Sequence, residues 1–253
     1  MYLSNKQPFA YCQIPKVGSS NWLKIIAVLE GIIKSADDIA KEKIHNIPLP
    51  TMYNLKEGFH LFKRSTKLLV VRDPFSRLLS CYKDKFLPSR GRSYPLFHKV
   101  AVEITKMYKA KEDQMHSKYH LNIPTFNQFV EYITHNKTDL SLLDISIPRH
   151  WLPQSQLSSP CDIRYDYILK IESISEEAEY FLRSQNFDTD VHYPASASKV
   201  TTSSNNEGSF QEYYSRLRPK QVKSLINYYQ EDLSLFDYKI PQLLSSILNS
   251  ADK

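Results

Sequence analysis

Hydrophobic and polar positions along the chain alternate between two periods, short apolar runs and longer helical stripes. Residues 8–14 form a first apolar run, read as a buried strand. A helical stripe follows at once, with Trp22, Ile25, Ile26, Leu29 and Ile33 on one face. Residues 67–71 form a second run, apolar and β-branched, which suits a central parallel strand. The next helix is marked by local chemistry. Asp73 stands at the N-cap, Pro74 at the first helical position, and Phe75, Leu78, Leu79, Tyr82 and Phe86 make the stripe. Further helices are expected over 97–112, 125–136 and 173–183, with a strand over 165–171 before the last. Residues 196–209, rich in Ser, Thr and Asn, read as a loop. One long helix is expected from Pro219 to Phe236, with Val222, Leu225, Ile226, Tyr229 and Leu233 facing inward. Strands alternating with helices predict an α/β fold, a central parallel sheet covered by helices on both faces in three layers. No internal repeat is visible, and 253 residues suit a single domain spanning 1–253.

Composition changes this picture little. Apolar residues make up 42% and aromatics 12%, which favours a packed core over disorder. No run approaches the roughly 18 apolar residues of a membrane span, and no signal peptide is evident. The net charge of +6 suits polyanionic partners. Zinc-finger spacing, RNP motifs and long basic helices are missing, so nucleic acid is not the expected partner. The three cysteines, Cys12, Cys81 and Cys161, are odd in number and lack CxxC spacing, which argues against a zinc site. Asn136-Lys137-Thr138 is an N-glycosylation acceptor and suits a lumenal protein.

The candidate chemistry sits at two strand-to-helix junctions. The first reads Ile14-Pro15-Lys16-Val17-Gly18-Ser19-Ser20-Asn21-Trp22, and the second Val70-Val71-Arg72-Asp73-Pro74-Phe75-Ser76-Arg77-Leu78-Leu79-Ser80. A helix start carries unpaired N–H groups and a partial positive charge, and so suits phosphate or sulfate. Two such starts suggest a ligand with two separate anionic groups. In an open parallel sheet both would lie at the carboxyl ends of the strands, where ligands bind. The first segment is not a Walker A loop, because its lysine precedes its single glycine and no Gly-Lys-Ser triplet follows.

The two segments together resemble the Golgi carbohydrate sulfotransferases, in particular the group of chondroitin and dermatan 4-O-sulfotransferases and the HNK-1 sulfotransferase. The resemblance extends through His150-Trp151, Ser159-Pro160-Cys161, Tyr165-Asp166-Tyr167 and Lys170-Ile171-Glu172 to residues 228–238, almost the whole chain. It implies a P-loop-like fold using 3′-phosphoadenosine 5′-phosphosulfate (PAPS) as donor. Pro15, Lys16, Val17, Gly18, Ser19, Ser20 and Asn21 would hold its 5′-phosphosulfate, and Arg72 and Ser80 its 3′-phosphate. Arg72 and Ser80 could touch one anion only if the helix start folds back beside it. Lys199, in the polar loop, is a further donor-binding candidate or an ordinary solvated lysine. Lys16 is the expected catalytic cation, placed to follow charge onto the leaving phosphate oxygen. The acceptor hydroxyl needs a base, for which His45 and His150 compete; His60, His116 and His120 lack a surrounding motif. Trp22 is expected in the core rather than against the adenine.

Sulfuryl transfer moves less negative charge than phosphoryl transfer, so no metal is expected. The implied reaction is transfer to a sugar hydroxyl of an anionic glycan, with N-acetylgalactosamine of a chondroitin-like chain as acceptor. Alternatives are a tyrosylprotein or small-molecule sulfotransferase, or a non-catalytic glycan-binding protein of the same fold. The resemblance also implies the Golgi lumen. Relatives carry an N-terminal anchor and stem, so a chain starting this close to its first strand is expected to be truncated or an unusual soluble member. Relatives have cysteine where this chain has Ser19 and Ser158, so their disulfide pairing does not transfer.

Overall fold

The computed structural model describes residues 1–41, 43–87, 94–112, 123–135, 146–187, 190–194 and 207–250. Lys199, the Asn136 acceptor, His116 and His120 lie outside these. Contacts divide the chain into two compact units, one of residues 1–72 and 154–204, the other of 73–153 and 205–253.

The first unit holds the sheet. Its strands β1 (Tyr2–Leu3), β2 (Phe9–Cys12), β3 (Thr66–Val71) and β4 (Tyr167–Lys170) lie in sequence order. β2, β3 and β4 are parallel, with Tyr11 opposite Leu68 and Leu69 opposite Ile168. β1 adds an antiparallel edge, Tyr2 opposite Tyr11, to the expected central parallel sheet. Every residue of β2 and Leu68 to Val71 of β3 is buried, as parallel strands covered on both faces require.

Helix α1 (Ser19–Leu29) is buried almost all round, not along one stripe. Trp22 is core, as expected, stacked on Tyr11 with centroids 5.9 Å apart and edge-on to Phe181 at the same distance. The helix stops at Leu29, short of the Ile33 that its periodicity includes. Gly31 takes φ +70, and Gly31 N–H and Ile32 N–H donate back to the carbonyls of Val28 and Ala27. This left-handed closure needs a residue without Cβ, and Gly31 supplies it. Helix α2 (Gly58–Arg64), which the pattern did not reveal, precedes β3.

The second unit is helical. Helix α3 (Pro74–Lys85) starts as expected, with the Asp73 carboxylate accepting Ser76 N–H at 2.7 Å. Helices α4 (Pro95–Glu112) and α5 (Phe126–His135) match the expected segments within two residues. In the first unit α6 (Gln154–Ser158) and α7 (Ile174–Ser184) flank β4 in sequence. The second unit ends in α8 (Glu207–Tyr214), α9 (Pro219–Tyr228), α10 (Gln230–Leu235) and α11 (Gln242–Asn249). The expected single helix over 219–236 is thus two, broken at Tyr229, whose ring is fully buried and whose hydroxyl donates to Trp151 O at 2.7 Å. Phe75, Phe126, Tyr214 and Tyr229 form part of this unit's core, mostly in edge-to-face contacts.

Candidate active site

The loop from β2 into α1 is built around two left-handed residues. Lys16 has φ +75 and Gly18 φ +77. For glycine this conformation carries no steric cost, whereas a lysine held there costs on the order of 1–2 kcal/mol. A Cβ at Gly18 would stand 2.9 Å from Ile171 Cδ1 and 3.4 Å from Tyr193 Oη, so the Ile171 side chain would have to shift. As the N-cap of α1, Gly18 brings no side-chain oxygen to the first-turn N–H groups. Asn21 N–H returns to Gly18 O at 3.0 Å, and no side-chain cap takes up the N–H groups of Ser19 and Ser20 in the same turn. The start of α3 differs. There the Asp73 carboxylate caps the helix by accepting the Ser76 N–H, a side-chain cap that the start of α1 does not have.

Arg72 lies at the end of β3, only 5% exposed, and its Nη1 donates to Lys16 O at 3.1 Å. One guanidinium thus joins the two sequence motifs and holds the strained lysine. Arg72 is itself held from behind. Its N–H donates to Gln154 Oε1 at 2.9 Å and its carbonyl accepts from Gln154 Nε2 at 2.8 Å.

Ser20 Oγ is 2.9 Å from His45 Nε2, which brings His45 from a short 3₁₀ turn over residues 44–46 to the first turn of α1. Ser20 is buried and His45 exposed. Asn21 Nδ2 donates to Tyr193 Oη at 3.3 Å; burial pushes the Tyr193 hydroxyl up to about 12, so it stays protonated. The first unit therefore brings together Lys16, Gly18, Ser19, Ser20, Asn21, Arg72 and His45, with Pro15 and Val17 in the same loop. Ser80 and His150 belong to the second unit. Ser80 is half-buried on α3, and the His150 ring stands edge-on to Phe97 with centroids 5.2 Å apart.

Two residues escaped the sequence. Gln154 stands in the stretch between the His150-Trp151 and Ser159-Pro160-Cys161 pieces, and a glutamine after a proline carries no signal of burial. Arg77 projects from α3 on the side away from the apolar stripe, yet is 0% exposed. Its Nη1 donates to Leu152 O at 2.7 Å and Nη2 to Arg149 O at 2.9 Å. Among the described residues no group of three or more His, Cys, Asp or Glu side chains could hold a metal ion. No helix there is long and apolar enough to cross a membrane.

Comparison with known proteins agrees with this architecture. The profile of the Sulfotransferase family matches residues 1–239. Carbohydrate sulfotransferase 10 of Danio rerio is 30% identical over 253 residues, covering 96% of this chain and 67% of the relative. The Xenopus laevis protein of the same name is 29% identical over 250 residues, with 96% and 68% covered. Human carbohydrate sulfotransferase 9 is 27% identical over 247 residues, covering 96% of this chain and 54% of the relative. No solved structure gives a significant match. The sheet is open and mostly parallel, with a lysine-bearing loop after β2 and an arginine at the end of β3. The chain belongs to the Sulfotransferase family and is a sulfotransferase enzyme.

Proposed function

We propose that this chain transfers the sulfuryl group of PAPS to a sugar hydroxyl of an anionic glycan, as one catalytic domain spanning 1–253. The observation that carries the donor reading is the Arg72 to Lys16 hydrogen bond, which sets an arginine and the α1 loop side by side. The N–H groups starting α1, with Ser19, Ser20 and Asn21, receive the 5′-phosphosulfate, and Arg72, with Ser80, the 3′-phosphate. The lack of a side-chain cap at the start of α1 fits an anion received by its backbone N–H groups. Lys199 remains a candidate for closing over the nucleotide.

In this reading the acceptor oxygen attacks sulfur in line with the departing phosphate oxygen. The new S–O bond forms as the old one breaks, and the bonding pair stays with the phosphate. Lys16 stabilises charge on that oxygen. The proton leaves the sugar hydroxyl for His45, whose Nε2 is released as Ser20 turns its hydroxyl to the donor. His150 is the competing base. This reading calls for no metal, and activity is expected to survive EDTA. The names of the relatives support a carbohydrate acceptor. N-acetylgalactosamine of a chondroitin-like chain and a Golgi lumenal setting follow from the family resemblance.

Labelled sulfate from PAPS, offered with desulfated glycosaminoglycans, neutral glycans, a tyrosine peptide and a simple phenol, tests this reading. Incorporation into a glycan, located by disaccharide analysis, is expected. Incorporation into the peptide or phenol alone would replace the acceptor class.

A further inference from the structure

We infer that Gln154 is a positioning residue for the donor, acting through Arg72. The β3–β4 ladder ends with Val71 opposite Lys170, so Arg72 is the first residue beyond it, where the chain leaves the strand. Arg72 is 5% exposed, and its main-chain N–H and C=O therefore need partners within the protein. A primary amide offers one acceptor and two donors in one plane, as a neighbouring peptide group would. Gln154, 0% exposed, uses it in this way, accepting Arg72 N–H at 2.9 Å and donating to Arg72 O at 2.8 Å.

Two bonds to one residue fix its backbone, and with it the direction in which the side chain leaves. That direction brings Nη1 to 3.1 Å from Lys16 O. Gln154 is itself secured, because its carbonyl accepts Ser158 Oγ–H at 2.7 Å and Ser158 O accepts Tyr165 Oη–H at 2.7 Å. A chain of partners thus runs from the Ser158-Tyr165 segment through Gln154 and Arg72 to the carbonyl of Lys16. This gives a physical role to a stretch for which the sequence reading named no chemistry. Gln154 sets the aim of the arginine, and the arginine sets the loop.

The inference rests on the donor reading above, and one ratio separates the two. Calorimetry on wild type and Gln154→Met would measure adenosine 3′,5′-bisphosphate against AMP. Wild type should prefer the bisphosphate. Gln154→Met keeps length and volume but neither hydrogen bond, and should lose about tenfold or more of that preference while AMP binding changes little. A purely structural role would lower the melting temperature and leave the ratio intact. Should Gln154→Met fail to fold, Gln154→Glu keeps the acceptor for Arg72 N–H but not the donor to Arg72 O, and should retain only part of the preference. In both variants the donor KM should rise more than kcat falls. A wild-type preference kept whole in a folded variant overturns the role of Gln154 alone. No preference in wild type overturns the donor reading and the role of Gln154 with it.

Discussion

Ser20 Oγ and His45 Nε2 stand 2.9 Å apart, although 25 residues separate them in sequence. Ser20 belongs to the turn that should receive the phosphosulfate, so on the proposed reading the contact would place an imidazole at the donor's edge. His45→Ala is expected to lower kcat about 10²–10⁴-fold and to remove the acidic limb of its pH profile. His150→Ala, measured in parallel, should keep that limb. If His150→Ala alone removes it, the base is His150.

Lys16 carries both charge and strain. Lys16→Ala should cut turnover roughly a hundredfold or more with a smaller change in donor affinity, since the ammonium acts on charge that develops during transfer. Lys16→Arg should restore only part, because the planar guanidinium cannot follow one oxygen as a compact ammonium does. Near-normal single-turnover chemistry in Lys16→Ala would make Lys16 a binding residue only. The φ of +75 adds a stability test. Lys16→Gly should be as inactive as Lys16→Ala yet more stable than it by up to about 1 kcal/mol in denaturant melts.

Arg77 is a buried cation whose fork serves two loop carbonyls; burial lowers its proton affinity, opposed by Tyr229 and then by Asp232, also 0% exposed. Removing it leaves those carbonyls and that carboxylate without its charge. Arg77→Met should destabilise by about 3–5 kcal/mol in urea unfolding. Arg77→Lys should recover little, since one ammonium cannot reproduce the fork. A loss below about 1 kcal/mol would show that the carbonyls find other donors.

His192 lies between two carboxylates, with Nδ1 3.3 Å from Glu179 Oε2 and Nε2 3.2 Å from Asp190 Oδ1. The hydrogen bond to Glu179 first, then the charges of Asp190 and Glu179, raise its affinity for a proton. The stabilisation therefore belongs to the protonated ring. It is complete below the unfolded value and lost as pH rises through the raised folded value. The other oxygen of Glu179 accepts Tyr193 N–H at 2.7 Å, and Tyr193 Oη accepts from Asn21 Nδ2 in the first turn of α1 at 3.3 Å. An NMR titration should place His192 above an ordinary exposed histidine, and Glu179→Gln should bring it back down. An unshifted wild-type titration would remove the linkage.

What the sequence determined by itself is what neighbouring residues decide among themselves. Asp73 and Pro74 start α3 because an N-cap oxygen reaches an N–H three residues on and proline's φ suits the first turn. The Lys16 to Ser20 loop was legible for the same reason, its lysine, glycine and hydroxyls lying within one turn. β2 and β3 announced themselves as apolar runs. Partners remote in sequence left no such mark. Periodicity gave α3 one buried stripe, but Arg77 on the opposite side is buried as well, since the carbonyls of Arg149 and Leu152 arrive there needing donors. Tyr229 reads as one more inward position of a long helix, yet the helix breaks at that residue, whose hydroxyl is bound to Trp151 O. The antiparallel setting of β1 depends on a pairing two residues long, too short to show a period. Gln154 and Arg72 are 82 residues apart, and only folding brings the amide to the end of β3. Local rules fixed where the anion-binding backbone turns. Tertiary structure decided how its charges are held, because a buried polar group must find its partner wherever the chain returns.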